Sequence, residues 1–172
     1  MIEPPFRHIR GTQRYVAIAT AVTMDEFDTV GGLVAEVYAW LEHQGAVPAG
    51  PSFVRILTSD MTATLDIEVG VLVDPPLNGD DRIVAGSIPS GSYVTLFYTV
   101  EEEDDHLRAN AEIQAWAANQ ELEWQIDGSS GVDVWGGRFT FDRPDKSSDG
   151  HQVFELTYQI VHNAADIRVS SE

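Results

Sequence analysis

The chain has 172 residues, 43% apolar and 22% charged, enough to bury the core of one soluble domain without staples. Ten Lys and Arg stand against 28 Asp and Glu, a formal net charge of −18 that disfavours phosphate backbones and anionic membrane surfaces. There is no cysteine, which excludes disulfides, thiol nucleophiles and thiolate metal sites.

No stretch approaches the ~18 consecutive apolar residues of a membrane span. Met1-Ile2-Glu3-Pro4-Pro5 lacks the basic and apolar regions of a signal peptide, so a cytoplasmic location is expected. The acidity by itself speaks for solubility, not for a function.

Residues 1–11 read as a polar arm. Tyr15 to Val22 has the small and β-branched composition of a strand. Thr23 and Glu26 have the spacing of a capping box, which predicts a helix over 24–44. Phe27, Val30, Val34, Val37 and Leu41 give that helix one apolar face, and Gly45 and Pro48 end it. Gly50-Pro51 is a turn signal, and Phe53 to Leu57 reads as a strand. Leu65, Ile67, Val69, Val71 and Val73 alternate with Asp66, Glu68, Gly70 and Leu72, a half-buried strand closed by Asp74-Pro75-Pro76.

Tyr93 to Val100 begins the pattern again as an aromatic and β-branched strand. Glu101 to Asp105 is an acidic run suited to a helix start. A helix is predicted over 107–121, with Leu107, Ala111, Ile113, Trp116 and Ala117 as its less polar side. Gly131 to Phe141 reads as a strand bulged at Gly136-Gly137. Arg143 to Gly150 reads as a hairpin loop, and Val153 to Val161 as the last strand. The order strand, helix, strand, strand thus occurs twice. Trp40 and Trp116 register the two helices, and Asp66 and Glu155 are expected at corresponding places.

The chain resembles the GyrI-like small-molecule-binding domains, also called bacterial transcription-activator effector-binding domains. The carrying stretches are the 24–44 helix with Trp40-Leu41 and Gly45, the Gly50-Pro51 turn, Asp66-Ile67-Glu68-Val69-Gly70-Val71, and Phe154-Glu155-Leu156-Thr157-Tyr158-Gln159-Ile160. The resemblance implies an α+β fold: two pseudo-twofold-related βαββ units, a mainly antiparallel sheet and a central ligand groove. The single domain would cover 12–162, with halves at about 12–74 and 92–162 and terminal arms at 1–11 and 163–172. It also implies a groove for lipophilic, often cationic or aromatic molecules, with the closing-strand glutamate, here Glu155, deep inside. Two places depart from the family pattern: Tyr98-Thr99-Val100 runs into the acidic run, and Gln159 stands near the usual proline.

Strand alternation carries part of this independently. If Val54/Ile56 and Val94/Leu96/Val100 face the helices, then Phe53, Leu57, Tyr93 and Phe97 share the other face with Asp66 and Glu155. Rings beside carboxylates suit a lipophilic cation. The same glutamate and aspartate can equally be solvated surface residues, and the rings core or a dimer patch. Trp135 is a further candidate for the pocket wall, whereas Trp40 and Trp116 suit helix packing. The five histidines show no metal-ligand spacing, and no phosphate loop, dinucleotide pattern or Gly-x-Ser-x-Gly occurs. No metal and no cofactor are therefore expected.

Three functions remain. The first is a stand-alone small-molecule binder acting in sensing, sequestration or protection. The second is a hydrolase of reactive cyclopropane-type toxins that uses Glu155. The third is an acidic, topoisomerase-inhibitor-like protein that holds a basic protein partner. No direct nucleic-acid binding is expected, because the 11 residues before Thr12 are too few for a helix-turn-helix, and no membrane binding, because of the net charge of −18.

Overall fold

A computed structural model of the chain describes residues 1–23, 26, 29–59, 64–129, 132–146 and 150–161. Among them are ten strands and two helices. In chain order these are β1 (Phe6–Arg10), β2 (Gln13–Thr23), α1 (Val30–His43), β3 (Ser52–Ser59), β4 (Thr64–Val73), β5 (Val84–Ile88), β6 (Gly91–Thr99), α2 (Asp105–Asn119), β7 (Ile126–Asp127), β8 (Asp133–Trp135), β9 (Arg138–Lys146) and β10 (Gln152–Gln159). The sheet order is β1-β6-β10-β9-β3-β4-β2-β5, with β8 pairing β3 and β7. Every pairing is antiparallel.

That order is a palindrome about the β9–β3 junction. β3, β4 and β2 on one side answer to β9, β10 and β6 on the other. The fold is therefore α+β with two βαββ units related by a pseudo-twofold axis. The outer strands extend the symmetry, since β5 flanks β2 as β1 flanks β6. β1 corrects the reading of residues 1–11 as an arm: Phe6 to Arg10 pair with Thr95 to Gly91. Val54 and Thr140 pair at the junction, and taking them as equivalents brings the ends of β3 onto β9 and of β4 onto β10. Glu68, not Asp66, then stands at the place of Glu155. Glu68 lies between Ala19 and Arg55, and Glu155 between Phe97 and Phe141.

The helices cover one face of the sheet. Val37 and Leu41 of α1 pack on Val16, Ile18, Val71 and Val73. Ala109 and Ile113 of α2 pack on Val94, Leu96, Leu156 and Tyr158. Leu107 and Ala111, expected on the buried side of α2, are exposed. Glu26 does reach back to Thr23, accepting from its amide at 2.9 Å, but α1 begins only at Val30, with Thr29 as N-cap. Phe27, the first residue of the expected apolar face, lies outside the described residues, as do 163–172. At the other helix, Asp105 accepts from the amides of Glu101 and Glu102 at 2.8 and 3.0 Å, so the acidic run folds as a turn before α2.

Both helices end in a left-handed residue one position past the cap, Gly45 at φ 69° and Glu121 at φ 57°. Glycine adopts that geometry freely, whereas other L-residues lose roughly 1–2 kcal/mol. Close approach constrains a different glycine: a Cβ on Gly70 would stand 2.4 Å from the Val16 carbonyl oxygen. Glu121→Gly is expected to raise stability by up to about 1 kcal/mol, and Gly70→Ala to lower it by about 1–3 kcal/mol. Chemical denaturation of both variants checks this.

Candidate ligand site

Among the described residues no helix lies on the second face of the sheet, and the sheet curls so that this face covers itself. Tyr15 of β2, Phe53 of β3, Ile88 of β5, Tyr93 of β6 and Phe139 and Phe141 of β9 form one buried cluster with Ala17 and Leu72. β2 and β6 stand near opposite ends of the strand order, so their contact with one cluster requires the curl. Phe53 sits among the other rings, 4.9 Å from Tyr15, 5.7 Å from Phe139 and 5.6 Å from Phe141. Burial pushes the Tyr93 hydroxyl up to about 12. Its proton goes to the Pro89 carbonyl at 2.6 Å.

Two arginine–glutamate groups flank the rings. In the first, Arg55 crosses the concave face. Its Nη1 donates to the Tyr15 hydroxyl at 2.7 Å and to the Ser87 carbonyl at 3.3 Å, and its Nη2 to the Gly136 carbonyl at 3.0 Å. Tyr15 in turn donates to Glu68, and burial together with that bond raises the Tyr15 pKa. Arg55 Nη1 lies 4.0 Å from Glu68 and the guanidinium 5.1 Å from the Phe139 ring centre.

The second group is built on Glu155, whose side chain is 8% exposed. Arg10 Nη1 donates to Oε2 and Arg143 Nη1 to Oε1, each at 3.0 Å. Arg10 lies 4.6 Å over Phe141, and Arg143 lies 5.4 Å over Phe97. Phe97 stacks on Phe6 at 6.0 Å, and Phe6 is 41% exposed. His8 shares a 2.6 Å hydrogen bond with Thr95. Burial, and then the neighbouring Arg10, hold the His8 pKa below its usual value.

Of the six residues singled out from sequence, Phe53, Tyr93, Phe97 and Glu155 lie on this concave face. Asp66 lies on the same strand as Glu68 but is exposed, accepting from Thr58 at 2.8 Å. Trp135 stands elsewhere: its ring packs edge-on to Tyr158 in the α2-side core, and its Nε1 donates to Ser59 at 3.0 Å. Sequence reasoning missed Arg10, Arg55, Arg143 and Glu68's pairing. Period-2 alternation carries part of that signal, in Phe6-His8-Arg10 and Phe139-Phe141-Arg143. An open cavity of about 400 Å³ lies on the helix side of the sheet, lined by Tyr38, Pro51, Ser52, Asp142 and Gln152, and touches the site through Arg143. Among the described residues, no three His, Cys, Asp or Glu side chains gather as a metal site. No helix among them is long and apolar enough to cross a membrane.

No protein-family profile matches the chain, and no curated protein matches it in sequence. Solved structures do match in shape. The C-terminal domain of EcmrR superposes with a TM-score of 0.71 at 9% identity, over 92% of this chain and 98% of that one. The fold is that of the GyrI-like effector-binding domains. EcmrR in its DNA complex superposes at 0.74 and 10% identity, over 94% of this chain. This chain spans only 58% of that longer protein. SAV2435 bound to tetraphenylphosphonium superposes at 0.58 and 9% identity, over 95% of this chain and 99% of that one. A hydrolase from Listeria innocua superposes at 0.59 and 12% identity, over 92% of each.

Glu155→Gln would leave two guanidiniums facing each other without a counter-charge. Removing one partner of a fully buried pair costs about 3–5 kcal/mol, and the 37% exposure of Arg143 reduces that here to about 1–3 kcal/mol. Urea denaturation should show this loss, with part recovered on adding Arg10→Gln. Equal midpoints for wild type and Glu155→Gln would show that the ion pairs contribute nothing to stability.

Proposed function

We propose that this protein binds a lipophilic, aromatic small molecule at the exposed end of the concave face, and acts by sensing, sequestering or giving protection from it. The observation that carries the reading is the rim of exposed Phe6 and partly buried Phe97 beside buried Glu155, with Arg10 and Arg143 laid over aromatic rings. Concave, mostly apolar surfaces with a few convergent polar groups are the usual form of a ligand site. The ligand-bound structure of SAV2435, which shares the fold, supports the same reading. The net charge of −18 supports the expectation that this domain does not itself contact nucleic acid.

Binding is favoured over hydrolysis by the state of Glu155. Both of its oxygens accept from guanidiniums, so activating a water there would begin with the loss of an ion pair. The Listeria hydrolase supplies the likeness of fold alone.

Rim and floor residues should respond differently to truncation. Phe97→Ala is expected to weaken binding of the neutral dye Nile red by about 5–30-fold, the ~1–2 kcal/mol of one aromatic contact, with little loss of stability. Phe53→Ala, at 2% exposure, should instead destabilise the fold by about 3–5 kcal/mol. Fluorescence titration and thermal melts read the two effects. Nile red affinity unchanged by Phe97→Ala would place the ligand away from this rim.

A further inference from the structure

The charge carried by the ligand is open to a separate argument, which rests on the proposed use of this face as a ligand site. Glu155 is one carboxylate between two guanidiniums. The group therefore carries a surplus positive charge, in a chain whose net charge is −18. His8 does not add to it near neutral pH, since burial and Arg10 both disfavour its protonation. Asp142, the acidic neighbour of Arg143 in the chain, lies on the other face of β9, opposite Phe154, and Gln152 donates to it.

Among the described residues, the guanidiniums also keep donors in reserve. Each has five N–H groups in a planar fork that matches a carboxylate. Arg10 gives Nη1 to Glu155 and Nε to Gln13, and Arg143 gives Nη1 to Glu155. Arg143 is the more open of the two, 37% exposed against 16%. It lies over Phe97, which is stacked on half-exposed Phe6. An apolar ring surface thus adjoins a partly exposed guanidinium that gives only one N–H to Glu155.

A cation meets the opposite situation. Its two natural contacts, the Glu155 carboxylate and the Phe97 and Phe141 rings, are already occupied by arginines. It would have to displace a guanidinium and then replace that group's ion pair and ring contact. An acid adds to the group without removing anything.

We propose that the site takes a lipophilic acid, an aryl or arylalkyl carboxylate, with its carboxylate held by Arg143 and Arg10 and its ring laid on Phe97 and Phe6. Three probes that share one ring system test this: 2-naphthoate, 2-naphthamide and 2-naphthylmethylammonium, titrated calorimetrically into the full chain. The acid should bind at least about tenfold more tightly than the amide, and 0.5 M NaCl should weaken the acid alone. Arg143→Gln and Arg10→Gln should bring the acid down to the level of the amide while leaving the amide unchanged. Arg143→Lys, which keeps the charge but not the fork, should fall between. Circular dichroism melts establish that each variant is folded. Because Arg143 is partly exposed, its variants separate a binding effect from a folding one even if Arg10→Gln unfolds. Equal affinity for acid and amide, or tightest binding of the amine, would overturn the acid and leave the ligand site standing. No binding of any of the three probes would overturn both.

Discussion

The sheet buries side chains on both faces, but among the described residues helices lie on one face alone. Everything else about the molecule follows from how the second face is kept dry. A flat sheet would leave Tyr15, Phe53, Tyr93, Phe139 and Phe141 in water, a loss of several kcal/mol for rings of this size. Curling brings strands from the two ends of the order into one cluster, and those rings become almost fully buried. The palindromic topology makes the curl possible. Each βαββ unit contributes half of the concavity, and β3 and β9 meet along its floor at Phe53 and Phe141.

A curled face still leaves polar edges, and arginine closes them. A guanidinium can lie flat on a ring while its edge donates to a carboxylate, which few other side chains can do. Arg10 and Arg143 do so here, on Phe141 and Phe97, while Arg55 lies over Phe139 and donates to the Tyr15 hydroxyl and two carbonyls. The chain has a single lysine among its ten basic residues, so nearly all of its positive charge is in the form suited to this packing. Ion pairs in such places do not by themselves stabilise a fold strongly, because desolvation offsets much of the attraction. In the proposed site their larger effect would be on what can enter, since a cation would meet a carboxylate already paired with two arginines.

The two halves use one plan with different chemistry. Glu68 and Glu155 stand at equivalent places, yet Glu68 is paired with an arginine of the adjacent strand and with Tyr15. Glu155 is held instead by β1 and β9, through Arg10 and Arg143. The first group is tied into the floor by carbonyls at Ser87 and Gly136, and the second opens onto the rim. The duplication thus produces one closed group and one open one. The open one coincides with the exposed rings.

The sequence by itself determined both helices and most of β2, β3, β4, β6, β9 and β10, because alternation and helical period are local properties of the chain; it did not show β5 or β7, and β9 continues to Lys146 through part of the expected hairpin loop. Val16 and Ile18, Val94 and Leu96, and Val37 and Leu41 all lie where their spacing puts them. Glu155 on the face opposite Leu156 and Tyr158 was equally legible. Its partners were not, since Arg10 lies 145 residues away and reaches it only because β1 joins the sheet beside β6. β1 itself was missed, because the alternation Phe6-His8-Arg10 is too short to distinguish a five-residue edge strand from an arm. Trp135 was misplaced because the break at Gly136-Gly137 separates β8 from β9, and alternation cannot be counted across it. Which carboxylate matched Glu155 also lay beyond the sequence. The helices fix one offset, but strand register is set by hydrogen bonding across the sheet, and only the assembled sheet chose Glu68 over Asp66.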